Sequence, residues 1–174
     1  MPTSTFDNLP EDKRQRILDA AVDEFADHAY HRASVGRIVQ RAGIPKGSLY
    51  QYFADKKDLY RYVLQLGLEQ KLAYAAGLRD GSVADRGFLS TMRAFLAAGL
   101  QMARDHPRLS AIADSLMRDG ELRDEILGEF APQGYRVIEE MLERGIAAGE
   151  IEPAIDVPLA ARLIMSMTFA LADQ

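Results

Sequence analysis

A glycine-bearing break, "AGIP" at Ala42–Pro45, separates two short helical stretches behind a longer one, and it constrains the fold more than any other feature of the chain. Upstream, Ile17, Leu18, Ala21, Val22 and Phe25 follow the i, i+4, i+8 rows of an amphipathic helix opening near Pro10–Asp12 and closing near His28. Val35, Ile38, Val39 and Ala42 then form one apolar stripe. Ser34 is placed to cap its start with a hydroxyl, and Gly43 to end it at positive φ. Pro45 suits the opening of the next helix, where its missing N–H costs nothing. Asp55, with Asp58 three residues on, caps a further helix. Two short helices joined by such a turn are the helix-turn-helix pattern. The second of them has one narrow seam to bury, Leu49 and Phe53. Lys46, Gly47, Ser48, Tyr50 and Gln51 are thereby left outside the core, small, hydroxyl and amide groups able to reach phosphates or base edges.

Charge agrees once it is divided. The net charge is −5. Residues 28–57, however, hold Arg32, Arg37, Arg41, Lys46, Lys56 and Lys57 against Asp55 alone. A basic patch on an acidic body directs a polyanion to one face.

The remainder reads as helix throughout, giving an all-α chain with no strand of consequence. One helix is expected from Lys56 to about Arg79, then a loop, "RDGSVADRG", then Phe88 to Arg104 and Pro107 to Met117. Glu121 to Ala148 follows with Pro132 as a kink or boundary, since proline removes one backbone bond. Asp156 caps the last helix. "DVPLAARLIMSMTFALADQ" is apolar on almost every side, so it is expected to be covered all round. Too short to span a membrane, it is expected to pack partly on its own body and partly on a second copy, and to continue past Gln174. The two-fold interface is placed on about 134–148 and 156–174, with Val137, Met141, Gly145, Leu163, Met165 and Met167 as its candidates.

With 48% hydrophobic residues the chain can build a core, and with no cysteine it has neither disulfides nor thiolate metal sites. The N-terminus has no apolar run, so no secretory signal is expected and a soluble cytoplasmic protein is the default. Glu24, His28 and His31 suggest a carboxylate–histidine metal site, but a second Glu-x-x-His unit is missing: Ala103 precedes His106 by three. No nucleophile–base pair and no phosphate-binding glycine loop appears. No catalytic residue, metal or cofactor is expected.

Over Arg14 to Leu59, "RILDAAVDEFADHAYHRASVGRIVQRAGIPKGSLYQYFADKKDL", the chain resembles the TetR family of bacterial transcriptional regulators. The resemblance rests on the apolar first helix, Ser34 before the Ile–Val–x–x–Ala–Gly helix, Lys–Gly–Ser–x–Tyr–x–Tyr–Phe, and Asp–Lys. It implies a helix-turn-helix DNA-binding domain over 1–54 and a helical effector-binding and dimerisation domain over 55–174. It carries DNA contacts onto Ser34, Arg37, Lys46, Gly47, Ser48, Tyr50, Tyr52 and Lys56, beside Gln51 from the residue reading. It also implies double-stranded DNA with a near-palindromic operator, a homodimer, and a small, largely apolar effector that releases a repressor. The pocket for that effector is implied by the resemblance as well. Tyr62, Tyr74, Phe88, Met92, Phe95, Met117 and Met141 are its candidates, although methionines and aromatics are equally ordinary core. Ala29 stands where the family usually has glycine, which implies a strained or remodelled turn. The competing class is a helical enzyme or ligand carrier with an incidental helix-turn-helix pattern; the concentration of charge at 28–57 speaks against it.

Overall fold

A computed structural model describes residues 2–76 and 87–172; most of the loop expected at 79–87 lies outside them. Nine helices, and no strand, are found among the described residues: α1 (Ser4–Asp7), α2 (Glu11–Asp27), α3 (Val35–Ala42), α4 (Lys46–Tyr52), α5 (Lys56–Ala76), α6 (Phe88–Asp105), α7 (Pro107–Arg118), α8 (Gly120–Ala147) and α9 (Val157–Ala172). None of them is long and apolar enough to cross a membrane. The chain divides into two compact units.

The first unit takes in residues up to 69 together with 106–123. Its buried side chains include Ile17, Ala21 and Phe25 of α2, Ile38 of α3, Leu49 of α4, and Leu59, Tyr60 and Val63 of α5, with the Phe25 ring 4.9 Å from that of Tyr60. α7 joins this unit along α2, burying Ile112 and Leu116. Arg108 holds the start of α7 to Asp23 and Asp27 on α2, each at 3.0 Å. His31 meets Asp119 at its other end, also at 3.0 Å. Exposed pairs of this kind each contribute about 0–1 kcal/mol, so they fix register while the buried side chains supply the stability.

The second unit comprises 70–105 and 124–174. Phe95, Ile138, Met141, Leu142, Ala161 and Met165 form its core. α9 is two-sided within it: Ala161 and Met165 are buried, whereas Leu159, Leu163 and Met167 are 52%, 55% and 64% exposed. The Asp156 carboxylate accepts from the Leu159 N–H at 3.0 Å, the expected cap.

Two expectations are narrowed and two are corrected. α8 runs through Pro132, so of the two readings, kink or boundary, the boundary is excluded. Ser34 makes no side-chain cap; its own N–H is taken by a carboxylate from α2. Of the two readings at Ala29, strained or remodelled, the turn is remodelled: His28 leaves α2 extended at φ −137° and the chain turns afterwards through Arg32 N–H to Ala29 O at 2.8 Å. Of the interface candidates, Met141, Met165 and Gly145 are buried inside the unit itself. A Cβ on Gly145 would lie 2.6 Å from Ile151 Cδ1, so that glycine serves packing within the chain. Val137 lies partly buried against the same core. Leu163 and Met167 keep an outward apolar surface.

Candidate nucleic-acid interface

The turn between α3 and α4 is built as glycine requires. Gly43 sits at φ 67°, and Ile44 N–H returns to Val39 O at 3.0 Å. Such a left-handed residue ends a helix at no steric cost only where there is no side chain. α4 then opens on Pro45 and buries Leu49 (2% exposed), with Phe53 (1%) just past its end. Its opposite side carries Lys46, Gly47 and Gln51, all exposed, with Tyr50 at 47% and Ser48 half-buried. A Cβ placed on Gly47 would meet nothing within 4 Å, so its backbone is open to close approach from outside. A short helix with one buried seam and a small, polar outer face is shaped to enter a groove.

Three of the residues expected to contact DNA have other engagements. Tyr52 is only 4% exposed, its ring 5.8 Å from Phe6, so it is a packing residue of α4. The Lys56 ammonium donates to the carbonyls of Tyr30 at 2.7 Å and Ala33 at 3.1 Å and lies 4.4 Å above the Tyr30 ring, pinning the turn after α2 to the start of α5. Arg37 is half-exposed, and its guanidinium is held by Glu24 through Nε at 2.9 Å and Nη2 at 2.5 Å. Asp55 and Asp58 meet as the sequence suggested: Asp58 N–H donates to the Asp55 carboxylate at 2.8 Å, and the Asp58 carboxylate reaches back to Ala54 N–H at 3.1 Å.

Glu24 was legible in the sequence only as a doubtful metal ligand. It is the buried charged residue of the first unit, 2% exposed. One oxygen also accepts from Ser34 N–H at 2.7 Å, at the entrance to α3. Burial by itself would raise its pKa; the hydrogen bonds from Arg37 and Ser34 and the neighbouring positive charge reverse this and hold it below the usual value. The same carboxylate thus starts α3 and aims Arg37. No local signal could reveal it, since its partners lie 10 and 13 residues on.

These pairings shrink the basic patch. Glu24 offsets Arg37, and Asp23 offsets Arg41 at 3.2 Å. Both acids lie just outside the 28–57 window and join it only in space.

The effector-pocket candidates are divided between the two units. Tyr62 and Met117 belong to the first unit, Tyr74, Phe88, Met92, Phe95 and Met141 to the second. Tyr62 packs on Phe6 and Phe53; Tyr74 donates its hydroxyl to Asp105 at 2.6 Å; Phe95 and Met141 are core. A cavity of about 40 Å³ lies among Gly87, Phe88, Thr91, Met141, Arg144, Gly145, Ala148 and Glu150. That holds about one water molecule, far below the roughly 300–1,000 Å³ of a ligand site.

Comparison with known proteins bears on the whole chain. Residues 17–63 match the family described as "Bacterial regulatory proteins, tetR family". The crystal structure of a TetR family transcriptional regulator from Chloroflexus aurantiacus J-10-FL is 40% identical, with TM-score 0.70 over 99% of this chain and 79% of that one. The Fatty acid metabolism regulator protein of Bacillus subtilis (strain 168) is 28% identical over 159 residues, 87% of this chain and 77% of that protein. The transcriptional regulator FadR from Bacillus subtilis, solved in complex with stearoyl-CoA, shares the fold at 22% identity, with TM-score 0.78 over 91% and 84% of the two chains. All three are named as regulators, none as an enzyme.

Proposed function

Since the chain belongs to the TetR family of bacterial transcriptional regulators, we propose that it acts as a homodimeric repressor that reads a near-palindromic operator with α4 and leaves it when a small, largely apolar effector binds. The observation that carries the DNA-reading half is the outer face of α4: Lys46, Gly47, Tyr50 and Gln51 exposed above a buried Leu49. Lys46 and Ser48, with the bare backbone of Gly47, address bases; Ser34, Arg37 and Tyr50 address the phosphate backbone. Residues 1–54 carry this task, and 55–174 carry dimerisation and effector binding in the cytoplasm, where the operator is.

The outward stripe of Leu159, Leu163 and Met167 on α9 supports a second copy as its cover. Two-fold symmetry then supports two half-sites related by the same axis. The effector class draws support from similarity to a fatty acid metabolism regulator and from a fold neighbour solved with stearoyl-CoA.

Titration of the operator-bound protein with stearoyl-CoA, and with coenzyme A alone, tests the effector. The acyl thioester is expected to weaken operator binding by about 5–150-fold, the usual range of allosteric coupling, and coenzyme A to leave it unchanged. Acyl thioester that binds without shifting operator affinity contradicts this effector.

A further inference from the structure

Residues 2–9 precede the stretch matched to the family, residues 17–63, yet they hold the end of α4. Thr3 N–H donates to Tyr52 O at 2.9 Å, and its Oγ1 hydroxyl donates to Gln51 O at 2.8 Å. The last carbonyls of a helix have no partner within it, and α4 ends without glycine, on Phe53 at φ −130°. Thr3 supplies two of those missing bonds. One turn on, Phe6 is fully buried, with ring centroids 4.9 Å from Phe53, 5.8 Å from Tyr52 and 5.8 Å from Tyr62. Phe6 is therefore wedged between the end of α4 and the first half of α5. The hook closes on itself through Phe6 N–H to Thr3 O and Leu9 N–H to Phe6 O.

α4 is seven residues long and buries only Leu49 and Tyr52. A helix so lightly anchored takes its tilt from whatever grips its ends. Gly43 and Ile44 fix the start through the turn; the hook fixes the finish. We propose that residues 3–6 are a positioning element for DNA reading, with Thr3 and Phe6 setting the tilt of α4 through Gln51, Tyr52 and Phe53 while touching no base themselves. This rests on α4 being the DNA-reading helix. Local packing alone would alter folding stability; a positioning role alters which bases are preferred.

The test selects duplexes from a random pool with the full chain, then compares Thr3→Val, Thr3→Ser and Phe6→Leu on the winning site and its single-base variants. Thr3→Val keeps the shape and the backbone bond but removes the hydroxyl donor. It is expected to weaken binding per folded molecule about three- to tenfold and to change the ranking of base variants, beside the small drop in melting temperature that loss of one net hydrogen bond brings. Thr3→Ser is expected to restore both, and Phe6→Leu to shift the ranking further with faster amide exchange at Phe53. Unchanged affinity per folded molecule and unchanged ranking in Thr3→Val and Phe6→Leu overturn the hook alone. A wild-type chain that enriches no sequence overturns both the hook and the assignment of α4.

Discussion

Glu24 carries a charge at 2% exposure, which a protein tolerates only where the charge is paired and hydrogen-bonded. Arg37 and Ser34 meet that condition. Its pKa lies below the unfolded value, so its stabilisation is present above that value and is lost as pH falls through the folded one. Glu24→Gln should therefore destabilise the protein by about 1–3 kcal/mol at neutral pH, the cost of disrupting a buried charged hydrogen-bond set. The gap to wild type should close on acidification, as urea melts at several pH values will record; a constant gap contradicts the ionised carboxylate as its source. Lys56 makes a parallel case. The family resemblance makes it a DNA contact, but its ammonium is already committed to two backbone carbonyls. Lys56→Ala should cost about 1–2 kcal/mol of folding stability, measured by denaturant titration, beyond any effect on the salt dependence of binding.

At the scale of the element, α4 combines a buried seam with an open outer face, and Gly47 tests the two separately. Since a Cβ placed there would meet nothing within 4 Å, Gly47→Ala should fold at least as stably as wild type, gaining up to about 1 kcal/mol of helix propensity. Operator affinity should nevertheless drop, because the methyl enters the space the operator would fill. Equal affinity in a filter-binding titration would remove Gly47 from the interface. This element was legible in the sequence because its determinants are local: the glycine turn, the four-residue seam, the carboxylate pair at Asp55 and Asp58. α1 was not. A single phenylalanine in a polar stretch has no periodicity, and its three ring partners lie 46–56 positions away in sequence. The place of α7 in the first unit was equally hidden, since Ile112 and Leu116 show an apolar stripe but not which surface it covers.

At the scale of the whole molecule, the apolarity of "DVPLAARLIMSMTFALADQ" divides into two faces with different duties. Met165→Asp places a charge in the core of the second unit and should unfold it. Leu163→Asp alters only the outward stripe and should give folded, soluble monomer by analytical ultracentrifugation; dimer that persists in Leu163→Asp moves the interface elsewhere. The engagements of Arg37, Arg41 and Lys56 within the chain also lower the expected electrostatics. Six phosphate-contacting cations per subunit would give a log–log salt slope of about −11 for a dimer, and each one engaged within the chain instead makes it shallower by about 2. The measurement that bears most directly on the central claim is selection of duplex DNA from a random pool by the wild-type chain, followed by anisotropy titration of the enriched site across salt. One near-palindromic sequence bound by two subunits is expected, with a slope shallower than about −11. A chain that binds the enriched pool no better than random duplex, at any salt, contradicts it.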